Sequence, residues 1–517
     1  MKTSRILSLE SPPAKQSYIK IGPRGRVRDP GAGALSCRIG RKLGGIPMSF
    51  LRALLVAGLG LPAIAAAAPA PVTVINGATL IHPSKSGDAV AEPGATIVIA
   101  GDRIQLAGAG ITLELPQGAK VIDARGKWVI PGLVDSHVHF FQSGNLYTRP
   151  DAADFNAVVP YAEEVARNKA RLDATFKVWL ASGVTGVVDI GGPMWNFDMR
   201  DRAAASPAAP RVAVAGPLIS MVDRPPLDLG DPPIMKITSP DEARALVARE
   251  LARNPDYIKV WFIHQEGDDL AAQEAIVKAA GDAAHAAGKR LAVHATELLV
   301  AKAALRAGAD YLVHSVFDAP IDDEFIELAK RNKALYSPTL FVMGGYLLAL
   351  GNRWQATEAE AARADPQILA AMDDLEGMPA DKVPPGVAKL IASGRVPEPP
   401  KVAMDNLRRL QAAGVAIAMG TDAGNIGTVH GPSIHREMKM MIESGLTPLE
   451  VLRSATVNGA RALGLEDQRG EVAAGRIADL VILDADPLAD IGNLAKVYRT
   501  IKGGVVYEPE ALMESIR

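Results

Sequence analysis

Apolar and polar positions alternate along the chain in two distinct textures. In the middle, short apolar runs recur at Leu133–His139, Val184–Asp189, Arg211–Ala215, Tyr257–Phe262, Arg290–His294, Tyr311–His314, Leu335–Ser337 and Val415–Thr421. Ala-rich stretches with helical spacing separate many of them, as at 241–253, 270–287 and 297–307. Strands alternating with helices predict a parallel α/β fold, and eight such runs predict a (β/α)8 TIM-like barrel over 131–467. In that fold chemistry gathers at the C-terminal ends of the strands. Residues 341–400 are too long for a simple connection and read as an insertion over the site. The flanks have the second texture, short strands between turns: Val72–Asn76, Ala95–Ala100 and Lys120–Ile122 before the middle, Asp479–Leu483, Val497–Ile501 and Val505–Tyr507 after it. Together 69–130 and 468–517 are expected to form one small β-sandwich built from both chain ends.

Charge and cysteine use narrow the partners. The 517 residues carry a net charge of −2, yet residues 1–68 hold 11 Lys/Arg against 2 Asp/Glu, so the body beyond them is acidic. An acidic body argues against nucleic-acid binding. The one cysteine, Cys37, lies in the basic leader, which leaves no thiolate metal site or disulfide framework for the body. Residues 48–68 run from Met-Ser-Phe-Leu-Arg through an apolar stretch to a small-residue exit, the layout of a signal peptide. Export to the periplasm or the exterior is therefore expected, with no membrane insertion of the mature body. Residues 1–47, basic and aperiodic, are expected to be disordered or to precede the true start at Met48.

The polar residues at the strand ends carry the chemistry. His137 and His139 are two positions apart, so a strand puts both imidazoles on one face. Lys259 follows in the fourth run, His294 in the fifth, His314 in the sixth and Asp422 just after the eighth. Four of the nine histidines thus fall at strand ends, and with a lysine and an aspartate at matching places they predict a metal site, since imidazole and carboxylate are zinc ligands.

These residues resemble the amidohydrolase superfamily, whose pattern is His-x-His on strand 1, a carboxylated Lys on strand 4, His on strands 5 and 6, and Asp on strand 8. The resemblance spans roughly 72–510. It includes Val129-Ile130-Pro131-Gly132 before His137, Gly420-Thr421-Asp422-Ala423-Gly424, the stretch Ser454–Gly464 and the stretch Gly475–Leu483. Within the superfamily the chain looks like the imidazolonepropionase-related and prolidase-like metal-dependent dipeptidases. The resemblance implies two divalent metal ions, zinc by preference. His137, His139 and Asp422 would hold one, His294 and His314 the other, and a CO2-derived carbamate on Lys259 would bridge them. It implies hydrolysis of an amide or peptide bond by water activated between the metals, with Asp422 as the base that then serves as acid.

Weaker candidates surround this set. Tyr336 on strand 7 is expected either to contact substrate or to pack in the core, and His264 after strand 4 and His430 after strand 8 either to bind substrate or to support the ligands. Asp189 is expected to order a loop, His435 to stand at a helix start, and His82 and His285 to be at the surface or structural. The substrate is a small molecule or peptide, and a homo-oligomer is compatible with the sequence. Two other readings compete: a cyclic-amide hydrolase or deaminase of the same superfamily, and a periplasmic binding protein without catalysis. The strand 4 lysine weighs against a deaminase, and the complete ligand set weighs against a binding protein.

Overall fold

The computed structural model describes residues 71–517 apart from 113, 115 and 116. The leader and signal segment lie outside the described residues. Strands β1 (Val72–Ile81), β2 (Ala91–Ala100), β3 (Arg103–Ala109), β4 (Lys120–Asp123) and β5 (Trp128–Pro131) open the described chain. Ten more follow: β6 (Leu133–Val138), β7 (Val184–Asp189), β8 (Arg211–Val214), β9 (Leu218–Ser220), β10 (Ile234–Lys236), β11 (Tyr257–Trp261), β12 (Arg290–His294), β13 (Tyr311–Val313), β14 (Leu335–Ser337) and β15 (Ala416–Ile417). The last three are β16 (Leu480–Leu483), β17 (Val497–Lys502) and β18 (Val505–Tyr507).

Both ends of the described residues share one eight-stranded sheet, in the order β18-β17-β16-β5-β1-β2-β3 with β4 added on β1. The seam is β5 against β16, antiparallel, from Trp128 opposite Leu483 to Pro131 opposite Leu480. Its apolar positions, among them Ile75, Ile97, Ile99, Leu480 and Ile501, close a core of their own. The expected sandwich therefore takes the form of one continuous sheet. β3 was not foreseen, because its sequence Arg-Ile-Gln-Leu-Ala-Gly-Ala buries little more than Ile104.

The middle strands pair in parallel and in sequence order. β6, β7 and β8 form one ladder, and β11 to β15 form another. A parallel bridge between Ala215 and Tyr257 joins β8 to β11. The order also returns to its first member: Ser136 N donates to Met419 O at 2.8 Å and Asp422 N to His137 O at 2.7 Å. Such close approach needs Gly420, where a Cβ would meet Ser337 Oγ at 2.4 Å and the His137 Cβ at 2.7 Å. β9 and β10 are additions that the apolar pattern did not announce, since each is only three residues long; β9 pairs with β11.

Helices separate the parallel strands, including Pro240–Leu251, Leu270–Ala286 and Leu298–Arg306. Their starts follow local chemistry. Ser239 caps the first by accepting from Glu242 N, with Pro240 at its first position. Asp269 caps the second by accepting from Ala271 N and Ala272 N. The long segment after β14 folds as four short helices, Val342–Leu350, Glu358–Arg363, Pro366–Met372 and Pro385–Ser393. Two buried carboxylates fasten it. Glu360 accepts from Arg436 Nε at 2.7 Å and Nη2 at 2.6 Å, and Asp365 accepts from Arg171 Nε at 2.7 Å and Nη2 at 2.8 Å. A separate apolar core joins this segment to the chain after β6, through Leu146, Tyr147, Phe155, Trp354 and Met372. None of the described helices is long and apolar enough to cross a membrane.

Candidate metal centre

β6 delivers His137 and His139 to the C-terminal end of the parallel ladder, and the chain after β15 delivers Asp422 opposite them. His137 Nε2 lies 3.2 Å and His139 Nε2 3.1 Å from the same Asp422 oxygen, Oδ1. His314 Nδ1 lies 3.8 Å from Asp422 Oδ2. The ring of His314 is 4.6 Å from that of His137 and 4.4 Å from that of His294. Lys259 enters from β11, fully buried. His139, Lys259, His294, His314 and Asp422 line one cavity, and His137 lies behind them against His139 and His314. All six residues expected to act on metal are therefore brought together.

The local electrostatics suit a cation. Both ring nitrogens of His137 and Oδ1 of Asp422 are buried without a hydrogen-bond partner among the described residues. Leaving such groups unpaired is costly. Burial lowers the His137 pKa to about 4 and takes His294 and His314 well below the usual imidazole value, so all three are neutral with free lone pairs. Burial alone would raise the Asp422 carboxyl, but the facing imidazoles of His137, His139 and His314 together outweigh it and hold the group well below the usual carboxylate range. Neutral imidazoles around an ionised carboxylate are the protonation states that metal binding requires. Among the described residues, His137, His314 and Asp422 bring ligand atoms within 4.8 Å of one another, a possible His/Asp metal site. Burial also pulls the Lys259 amine down to about 7, against the opposing effect of the Asp422 charge.

Strain and supports cluster here. Among the described residues six non-glycine positions have positive φ, and three of them meet at this site: His314 at 74°, Thr339 at 43° and Asp422 at 61°. Residues held in that region are commonly functional. Thr339 Oγ1 is 2.8 Å from His314 Nδ1, and Gly191 O is 2.6 Å from His139 Nδ1. Asp189 accepts from Phe140 N at 3.1 Å and Asn196 Nδ2 at 2.8 Å, so it orders the loop that holds His139. Asp135, wholly buried, accepts from Thr421 Oγ1 at 2.6 Å, Thr421 N at 3.0 Å and His137 N at 3.2 Å. It ties the first strand end to the last, and sequence reasoning missed it. An acidic residue inside the apolar run Leu133-Val134-Asp135 was the available clue.

The three candidate substrate contacts lie elsewhere. Tyr336 packs in the main core, and its hydroxyl accepts from Val316 N at 3.0 Å. Strand alternation explains this: Leu335 faces the interior of the parallel ladder beside Tyr257 and Tyr311, so Tyr336 faces away from it. His264 sits outside the cavity wall, its Nδ1 2.8 Å from Gln273 Oε1. His430 stacks on Phe140 at 5.3 Å, and its Nε2 is 2.9 Å from Gln142 O. The cavity of about 770 Å3 is walled instead by Phe141, Leu218, Trp261, Leu340, Met343 and their neighbours.

A histidine pair at the end of β6, a lysine on β11, two further histidines and an aspartate thus meet on a parallel α/β scaffold as a candidate metal site. The chain matches the amidohydrolase family over residues 128–507 and belongs to it. It is a hydrolase acting on carbon–nitrogen bonds. It is 26% identical to the imidazolonepropionase of Pseudomonas savastanoi pv. phaseolicola over 80% of this chain and 93% of that one. Two solved structures share its fold. A Xaa-Pro dipeptidase with bound methionine has a TM-score of 0.63 and 24% identity, covering 84% of this chain and 100% of that one. Molinate hydrolase has a TM-score of 0.64 and 22% identity, covering 86% and 96%.

Proposed function

We propose that the protein hydrolyses an amide bond in a metal-dependent reaction at this centre. The observation that carries the reading is the set of buried, unpartnered ligand atoms, with two imidazole nitrogens 3.1 and 3.2 Å from one carboxylate oxygen. His137, His139 and Asp422 would hold one divalent ion, and His294 and His314 a second. A zinc ion so held supplies Lewis acidity and a water whose pKa falls to about 7. Asp422, ionised at the cavity wall, takes the proton from the attacking water and returns it to the leaving nitrogen. Lys259 is suited to carboxylation. An amine brought down to about 7 is largely neutral at physiological pH, so its lone pair can add to the carbon of CO2, releasing one proton and leaving two carboxylate oxygens to ligate.

On this reading the parallel ladder is a closed (β/α)8 barrel over 131–467, and the sheet from both chain ends is a separate small domain of 69–130 and 468–517. The return of hydrogen bonds from Met419 and Asp422 to β6 supports the first, and the separate apolar core of the sheet the second. Export through a signal at 48–68 completes the proposal, and N-terminal sequencing of the secreted protein should then begin near Pro69. The 26% identity to an imidazolonepropionase favours a cyclic amide as the second reading. Chelation followed by re-addition of zinc tests the central claim. Hydrolysis of an amide panel should vanish with the metal and return with it; full turnover by metal-free protein would overturn it.

A further inference from the structure

The cavity that receives the substrate has almost no charge of its own. Besides the metal-site residues, the only ionised side chain in its described wall is Arg149. That guanidinium is already committed. Its Nε and Nη2 each donate to Asp151 at 2.7 Å, and its Nη1 donates to Asn425 Oδ1 at 2.8 Å and Tyr346 Oη at 3.2 Å. Asp151 is itself 5% exposed, and it also faces Arg224, whose Nε lies 3.7 Å from it and whose guanidinium covers the ring of Trp261 at 4.7 Å. The remaining wall is mainly apolar: Phe141, Leu218, Leu227, Trp261, Leu340 and Met343 stand around it. Leu227 and Leu340 are buried, and Met343 and Phe317 expose apolar surface at 62% and 53%.

Several neutral polar side chains also line it, among them Gln142, Thr296, Ser315, Thr339, Tyr346 and Asn425. Gln142 lines the cavity close to His139, and its Oε1 is buried without a hydrogen-bond partner among the described residues. A primary amide in that place can accept from, or donate to, an uncharged amide in the substrate.

We infer that this site takes a neutral amide carrying a large apolar acyl or aryl group, with Gln142 hydrogen-bonding the amide, and discriminates against free zwitterionic dipeptides. The inference rests on the amide-hydrolase reading above and names its substrate class. The physical reason is desolvation. A free ammonium or carboxylate entering this wall loses its water and finds Arg149 already paired with Asp151 and Arg224 held between Asp151 and the Trp261 ring. An alkyl or aryl group instead gains from each apolar surface it covers. The volume of about 770 Å3 leaves room well beyond a small dipeptide.

The test uses the full, zinc-loaded protein with butanoyl, hexanoyl and octanoyl anilides and, for comparison, the dipeptide Leu-Leu. kcat/KM should rise by about tenfold for each two CH2 groups added, and the octanoyl anilide should exceed Leu-Leu by at least about a hundredfold. Met343→Glu, at an exposed position that tolerates a charge, should lower turnover of the octanoyl anilide by about tenfold or more. Gln142→Ala should lower kcat/KM for every anilide without altering the dependence on chain length. Turnover of Leu-Leu equal to or above that of the anilides, or no dependence on chain length, overturns the inference and leaves the amide-hydrolase reading standing. If neither class is hydrolysed, that reading fails, and binding to Asp422→Asn protein followed by tryptophan fluorescence decides the present one. Tighter binding of the octanoyl anilide supports it, and equal or tighter binding of Leu-Leu overturns it.

Discussion

Two groups of buried charge sit at opposite ends of the same parallel strands, and they are built in opposite ways. Where the strands begin, Asp479 is enclosed by cations: Arg211 Nε donates to it at 2.8 Å and Arg469 Nε lies 3.0 Å away. Gly503 N donates to its other oxygen at 2.6 Å, and Arg469 also bonds Thr185 Oγ1. Burial would raise the Asp479 carboxyl, but the two guanidinium groups outweigh it and lower it. Where the strands end, Asp422 faces imidazoles, and its Oδ1 and both ring nitrogens of His137 are buried without a hydrogen-bond partner among the described residues. The first group carries its counterions within the chain, although Arg469 Nε and Nη1 make no hydrogen bond among the described residues, and it holds the sheet from both chain ends to β7 and β8. The second is closed only by something brought from outside. Buried charge with its counterion built in is scaffold; buried charge without one is a binding site.

The sharpest way to break this contrast is at the strand ends. Asp422→Asn should keep its fold and much of its metal, because four histidines and Lys259 remain, yet lose about 10²–10⁴-fold in kcat, the usual value of acid–base work. The loss should fall on kcat more than on KM. Metal analysis and steady-state kinetics check it, and a kcat within a few-fold of the parent would assign the proton to another group. At the other end Asp479→Asn should do the reverse. Removing the anion strands two guanidinium groups, one of them fully buried, at a cost of about 3–5 kcal/mol. Urea unfolding should show that loss, while kcat per folded molecule stays close to the parent value.

Glu437 is the intermediate case and sharpens the comparison. It is wholly buried without a cation, but Leu340 N and Phe341 N donate to it at 2.8 and 3.0 Å. Those donors lower its pKa less than burial raises it, and the carboxyl rises to about 8. The folded chain therefore keeps that proton from about pH 4.5 to about pH 8, whereas the unfolded chain releases it. Protons bound in excess by the folded state make stability fall as pH rises through that window. The contribution is at most about 1.4 kcal/mol per pH unit. Glu437→Gln cannot titrate, so its stability relative to the parent should improve from pH 5 to pH 8 in paired urea titrations. A constant difference between the two proteins would show that Glu437 is ionised in the folded state.

The same contrast explains what the sequence made legible. Strand-end ligands announce themselves, because a polar residue closing an apolar run has little reason to be there unless a site needs it. Strand spacing placed His137 with His139. The cavity wall was not legible in this way. Leu218 belongs to a three-residue strand, Met343 and Tyr346 to an inserted helix, and Arg149 to the loop after β6; none stands in a period that a short window reveals. Asp135 and Asp479 were hidden for another reason. Each is an isolated acid beside an apolar strand, and its meaning lies in partners that are 286 residues away for Thr421 and 268 for Arg211.

Tyr336 gives the smallest expected effect and tests the alternation rule itself. Its place at strand 7 drew it into the site on residue type alone, but its neighbours Leu335 and Ser337 take the opposite face of β14. The hydroxyl is an acceptor for Val316 N at 3.0 Å, deep among core residues, so its work is to satisfy one buried donor. Tyr336→Phe keeps the ring and its packing and removes only that acceptor. The loss should be about 1 kcal/mol in urea unfolding. Both kcat and KM should stay within about twofold of the parent, because the hydroxyl points away from the wall that holds Gln142, Lys259 and Asp422. A large rise in KM with unchanged stability would turn Tyr336 back toward the substrate and would mean that β14 presents its other face to the cavity.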